Sequence, residues 1–329
     1  MPPELEDIAE QLTLDSSAAI GIPLALVAAV LLAIGTQFQH RGVSLVNAAS
    51  TTDGTTGLSF GQLRSLLARP SWVIGTLLLG VAIVMQLTSL AFAPLIVVQP
   101  LGAVALVVTA IVNARITKTP LDAISIRAIV ICVVGIGAFV TIAAFVAQTH
   151  PITSTQLVTV LVTLAVVLAG LLTTFLILRG RKPRPIFYVI AGGVLFGFVV
   201  TLAKVVIDRV RTIISIPNYP IGPADLLTLL CIVGLIAAAL LGTYFVQTAH
   251  SSNPPDLVVA GLTVIDPLVA VSIGIIVLGE AAGAPFWAII AFVVAAGVAI
   301  YGVLSLARHH PQALANTAIA DAADGSSPK

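Results

Sequence analysis

One carboxylate, Asp266, stands beside Pro267 inside the apolar stretch 257–278, about ten residues from its start, which at a 1.5 Å rise is roughly 15 Å deep and near mid-bilayer. An ionised group at that depth costs about 3 kcal/mol or more unless it is protonated, paired or hydrated. Such a residue can carry a proton, ligate a cation or form half of a gating pair. The same dipeptide also reads as a helix device, because Asp is a good N-cap and Pro suits the first helical position. A half-helix would then start at Asp266-Pro267. The two readings combine, since broken helices line polar sites in membranes.

Other polar residues fall within apolar runs. Lys204 lies late in the sixth run and can either snorkel to the surface or pair with Asp266 or an anionic solute. His40, beside Arg41 near the end of the first run, has a side chain suited to a proton relay or an interfacial position. Gln86, Gln247, Gln99, Gln37 and Gln39 supply amides at membrane depth, which bind polar solutes or join helices. Pro94, Pro100, Pro255 and Pro267 are the expected helix breaks. Cys132 and Cys231 sit in apolar runs and read as free, buried thiols.

The elements that position these residues follow from composition. The chain is 58% hydrophobic and 9% charged, with mean hydropathy +1.12, far from the roughly quarter-charged soluble norm. The reading is an all-α polytopic membrane protein. Apolar runs place nine helices near 18–43, 71–92, 95–115, 124–147, 155–179, 186–207, 225–249, 257–279 and 286–307, each close to the length that crosses about 30 Å of hydrocarbon. Arg41, Arg64 and Arg69 follow the first run, Arg115, Lys118 and Arg127 the third, and Arg179, Arg181, Lys182 and Arg184 the fifth. Arg209 and Arg211 alone break that alternation, so the positive-inside rule places the N-terminus outside and the C-terminus in the cytoplasm. Residues 1–17 read as an acidic tail without the basic leader of a signal peptide, and 309–329 as a small, polar, disordered tail. Positive charge sits at helix ends and forms no basic face, which excludes nucleic acid.

Sliding the chain on itself by 161 residues lays Gln86 on Gln247, Pro94 on Pro255, Val97-Val98 on Val258-Val259 and Leu101 on Leu262. The expected organisation is a four-helix repeat at 18–147, a linking helix and basic loop at 148–184, and a second four-helix repeat at 185–308. The linking helix makes the repeats inverted, an arrangement that binds solute near midplane between them. Gly193 and Gly197, and Gly234, Ala238 and Gly242, recur at four-residue spacing as packing seams.

The stretch from Leu90 through Ala93-Pro94 and Gln99-Pro100 to Gly102-Ala103 resembles the start of the third helix in the drug/metabolite transporter (EamA-like) superfamily. Asp266-Pro267 and Leu278-Gly279-Glu280 are similar to the acidic-Pro pair and Leu-Gly-Glu ending of that superfamily's second half, and 197–204 to its aromatic and lysine pattern. Nine spans and the Pro94–Ala103 segment resemble the NIPA-like magnesium transporter branch. Ala105-Leu106 stand where the first copy would carry its acidic-Pro pair, so a carboxylate mechanism is one-sided. The resemblance implies a secondary transporter of a small solute working by alternating access, or a NIPA-like Mg²⁺ permease in which Asp266 contacts the ion. A flippase for lipid-linked substrates and a non-transporting subunit are the other readings. Without HExxH, GxSxG or a nucleotide-binding loop, neither enzyme nor ATP pump is expected, and no cofactor is called for. Expected partners are membrane lipid and a solute or cation, with a homodimer left open. The expected location is a bacterial plasma membrane.

Overall fold

The computed structural model describes residues 18–49, 66–117, 121–148, 151–177, 185–216, 222–253 and 255–308. The acidic tail 1–17, the basic run 179–184, His150, the C-terminal tail and the side chain of His40 lie outside the described residues. Within them the chain is helical: α1 Ala18–Ala49, α2 Pro70–Phe92, α3 Leu95–Gly102, α4 Val104–Thr117, α5 Ala123–Val146, α6 Ser154–Ile177, α7 Pro185–Ser215, α8 Pro223–Ser252, α9 Pro255–Ile276 and α10 Phe286–Arg308. Among the described residues nine helical spans are long and apolar enough to cross a membrane, α3 and α4 together forming the third. The protein is a polytopic membrane protein.

Three differences from the sequence reading matter. The third span is divided at Ala103, whose N–H turns back to Pro100 O at 3.2 Å. The sixth helix runs on to Ser215, about 46 Å at 1.5 Å per residue, so that Asp208, Arg209 and Arg211 are helical residues past the thickness of the hydrocarbon. And α9 passes through Pro267 unbroken, which corrects the half-helix expected at Asp266-Pro267. Neighbouring contacts hold that helix together, while the missing N–H of Pro267 leaves the Thr263 carbonyl without its partner.

The closest helix pairings come in matching sets. α1 lies along α2 as α7 lies along α8, α1 also packs on α3 and α4 as α7 packs on α9, and α5 pairs with α10. Pro94 precedes α3 and Pro255 opens α9. α6 buries only Leu157, Val160 and Leu164 along its length and presents Val162, Val166 and Leu172 outward. Exposed Leu and Val on such faces suit lipid tails, so packing inside must come from close approach of backbones and not from a hydrophobic driving force.

Small residues supply that approach. A Cβ built on Gly193 would stand 2.7 Å from Ile265 Cβ, and one on Gly197 would stand 2.7 Å from Val269 Cβ. The seam on α7 therefore grips α9 on both sides of Asp266, at the residue before it and at the third residue after it. Gly35 and Gly75 bring α1 and α2 together, and Gly135 meets the backbone of Ala299 on α10. Cys132 and Cys231 are free and buried.

Gly197→Ala should lower thermal stability in detergent by overpacking against Val269, a cost of about 1–3 kcal/mol. Gly137→Ala is the control, because its Cβ meets nothing within 4 Å and Ala is the better helix former; its melting temperature should hold or rise. Reaction of the buried cysteines with a thiol dye on heating reports both.

Candidate functional site

A cavity of about 380 Å³ lies between α1, α2 and α3 on one side and α7 and α9 on the other. Its polar wall consists of Gln86 from α2, Gln99 from α3, and Thr263 and Asp266 from α9, and the remainder is apolar and small, with Ala28, Ala29, Gly102 and Val200 among it. Asp266 is the one ionisable residue in that wall. Its Oδ1 is buried and accepts no hydrogen bond. The Thr263 hydroxyl is spent on Val259 O at 2.7 Å, and that residue's carbonyl is the one Pro267 leaves unpaired. The cavity thus joins a carboxylate, two amides and a threonine on an otherwise apolar surface.

A second polar constellation closes the Pro94 end of the bundle. α2 stops at Phe92, Ala93 is extended (φ −134°, ψ 152°), and α3 starts after Pro94. The Leu90 carbonyl would normally bond the N–H four residues on, but that residue is Pro94, which has none. Lys204 Nζ takes its place at 2.7 Å. The Ala91 carbonyl accepts from Arg211 at 2.7 Å, whose guanidinium also lies 5.6 Å from the centre of the Phe92 ring. At the start of α3, Leu95 N–H donates to Glu280 Oε1 at 2.7 Å and Ile96 N–H to Glu280 Oε2 at 2.8 Å.

The charges in this constellation compensate one another. Lys204 is 2% exposed and lies 3.0 Å from Asp208 Oδ2, one helical turn away. Cations sit at the C-terminus of α2 and a carboxylate at the N-terminus of α3, the signs that the two helix dipoles favour. Glu280 is 4% exposed. Burial pushes its pKa above the ordinary carboxylate value, while the N–H groups of Leu95 and Ile96 and the charge of Lys204 pull it down. The turn that delivers it reverses at Gly279 with φ 72°, a conformation that suits glycine. That turn is tied to the α5–α6 connection through Gln148 N–H on Glu280 O (2.8 Å) and to the first turn of α6 through Gln156 Nε2 on Leu278 O (2.9 Å). Gly274 is bare because Glu280 Oε2 fills the space of its side chain, 2.9 Å from where a Cβ would stand.

The family model described as Magnesium transporter NIPA matches residues 16–309, nearly the whole chain. The chain belongs to the NIPA magnesium transporter family. It is 27% identical over 296 residues to an uncharacterized protein of Corynebacterium glutamicum, covering 88% of this chain and 95% of that one. It is 32% identical over 114 residues to a protein of Candida albicans named as a probable magnesium transporter, covering 35% of this chain and 30% of that protein. No solved structure matches. The NIPA family lies within the same superfamily that the Pro94 and Asp266 segments resemble.

In this NIPA-family chain the residues singled out by sequence separate into three groups. Asp266, Gln86, Gln99 and Pro267 meet at the cavity. Lys204 does not reach Asp266, being held by Asp208 and Leu90 O, and it is buried where snorkelling would have exposed it. Gln39 donates to Thr76 Oγ1 at 3.0 Å, joining α1 to α2, and Gln247, the register mate of Gln86, is exposed on α8. Pro100 stands within α3 three residues before its division from α4, and Pro255 begins α9. Among the described residues no group of three or more His, Cys, Asp or Glu could hold a metal.

Sequence reasoning quoted Glu280 without a role and missed Asp208 and Arg211 as partners. The signal was present: Lys204, Asp208 and Arg211 recur at i, i+4 and i+7, one face of a helix, and Pro94 removes the N–H that Leu90 needs.

Lys204→Met leaves Asp208 buried without its cation, and removing one member of a buried pair costs about 3–5 kcal/mol. The double variant Lys204→Met with Asp208→Asn should recover a large part of that loss. Thermal unfolding of these two, of Asp208→Asn alone and of the unaltered protein measures the coupling.

Proposed function

We propose that this NIPA-family membrane transporter moves Mg²⁺ with much of its hydration shell through the cavity at Asp266. The observation that carries the reading is the buried Oδ1 of Asp266, which has no partner of its own in a wall otherwise free of charge. Mg²⁺ gives up water reluctantly and is usually held by one or two carboxylates with several waters retained. A site with a single carboxylate and neutral oxygens from Gln86, Gln99 and Thr263 suits that mode and would grip a bare ion poorly. Six waters at about 30 Å³ each fill roughly 180 Å³, and the cavity is about 380 Å³.

In this reading residues 18–147 and 185–308 are inverted repeats, with 148–184 as the linker, and alternating access works by rocking one against the other. Support comes from the matched pairings of α1 with α2 and α7 with α8 and from the cavity's place between the two sets. The N-terminus is outside, the C-terminus cytoplasmic and the membrane a bacterial plasma membrane; loop charge supports the orientation. An organic solute of the drug/metabolite kind is the second reading. It is favoured by the mostly aliphatic lining, Leu32, Ile83, Leu87 and Leu262 included.

Expression in a bacterial strain lacking its own magnesium uptake should restore growth at limiting Mg²⁺, and Asp266→Asn should abolish that rescue at equal membrane abundance. Gln99→Leu should weaken uptake to a lesser degree by removing one neutral oxygen. Wild-type failure to rescue, with good expression, moves the assignment to an organic solute.

A further inference from the structure

We infer that Glu280 and Lys204 are the positioning pair that shuts the Pro94 end of the transport cavity. The inference rests on the alternating-access reading above and extends it to residues outside the cavity wall. Pro94 divides α2 from α3 in the protein interior, and the division leaves carbonyls at the end of α2 and N–H groups at the start of α3 without helical partners. Four of these groups are filled from the other half of the chain: Leu90 O by Lys204, Ala91 O by Arg211, and the N–H groups of Leu95 and Ile96 by Glu280. No backbone group of α7 or α9 takes part, so the two halves meet here through side chains that can let go together.

The clamp holds a plug. Leu95, Ile96, Val97 and Val98 are each wholly buried and stand between the clamp and Gln99, the first residue of α3 in the cavity wall. On α7, Val200 lines the cavity and Lys204 lies one turn beyond it, with Thr201, Leu202 and Ala203 buried between. Moving the end of α2 and the start of α3 aside from α7 and α9 requires Lys204 to leave Leu90 O, Arg211 to leave Ala91 O and Glu280 to leave the first turn of α3. The charge of the set then decides its fate: Lys204 keeps Asp208, already 3.0 Å away, and Arg211 has the same carboxylate three residues back on its own helix, whereas Glu280 turns to water. The clamp is therefore a device that closes in a dry environment and opens into a wet one.

Glu280 also fixes how α3 presents Gln99. Both carboxylate oxygens are used on consecutive N–H groups, which sets the rotation of α3 about its axis as a single bond would not. Glutamine at 280 keeps one acceptor and turns an N–H₂ group toward the other donor, so Glu280→Gln breaks half of the grip while conserving shape.

The test is sided labelling of a cavity cysteine. Gly102→Cys in a Cys132→Ala, Cys231→Ala background places a thiol in the cavity wall where a Cβ meets nothing within 4 Å. A membrane-impermeant methanethiosulfonate is applied to right-side-out and inside-out vesicles separately, without Mg²⁺. The protein with the clamp intact should react slowly from the Pro94 face, and Glu280→Gln should speed that reaction about tenfold, the mark of a closed population that has shifted toward open. Lys204→Met with Asp208→Asn, which leaves no unpaired charge on α7 at that point, should do the same. Unchanged labelling in both, with monodisperse elution, overturns the inference. So does rapid labelling from that face with the clamp intact. Loss of folding in both variants also overturns it, because the pair would then be a folding requirement and not a closure. Since labelling is read without cargo, failure of the magnesium reading leaves this result interpretable.

Discussion

Proline at position 94 removes one N–H, and the architecture around it follows from replacing what that loss leaves open. Inside a membrane protein, water is not at hand to satisfy a carbonyl or an amide, so each orphan must find a protein partner. Here the partners are ionic and come from far along the chain: a lysine and an arginine from α7 on the end of α2, a glutamate from the α9–α10 turn on the start of α3. Burying those charges would be costly for any one of them alone. Together, with Asp208 as the fourth, they are paired with each other and with helix termini of the matching sign.

The same economy of polar groups explains the cavity. α7 and α9 approach closely because Gly193 and Gly197 carry no side chains where Ile265 and Val269 press in. That approach carries Asp266 to a fixed place and leaves it no neighbour with a charge, since Lys204 is held a turn beyond the cavity. A carboxylate kept apart from counter-ions is an acceptor in waiting, and the polar residues around it, Gln86, Gln99 and Thr263, are neutral. The protein thus separates its charges into a compensated set that binds helices and one uncompensated group that faces a cavity. Family membership makes the chain a transporter, and the proposed cation site rests on this separation.

Much of the fold was legible in the sequence. Nine spans, most of their limits, the free cysteines and the packing role of Gly193 and Gly197 all follow from apolar length and small-residue spacing, which a bilayer constrains tightly; the ends of the first and sixth helices, which run on to Ala49 and Ser215, do not. Asp266 stood out because a charge among apolar residues is conspicuous. Where sequence reasoning fell short, long-range partners decided. α9 continues through Pro267 because neighbours hold it. Lys204 belongs to Asp208 and Leu90, not to Asp266. Gln86 and Gln247 share a register and have different surroundings.

The sequence by itself determined the solvent: hydropathy, charge spacing and run length admit a polytopic helical bundle and little else, and they mark Asp266 as out of place. Tertiary structure alone decided which polar groups meet. Glu280 and Leu95 are 185 positions apart and Lys204 and Leu90 are 114 apart, and no local periodicity reaches across such distances. Hydrogen bonds are short-ranged and directional. Their partners are set by how helices pack in three dimensions, and that packing made a glutamate noted only as part of a Leu-Gly-Glu ending into the cap of a broken helix.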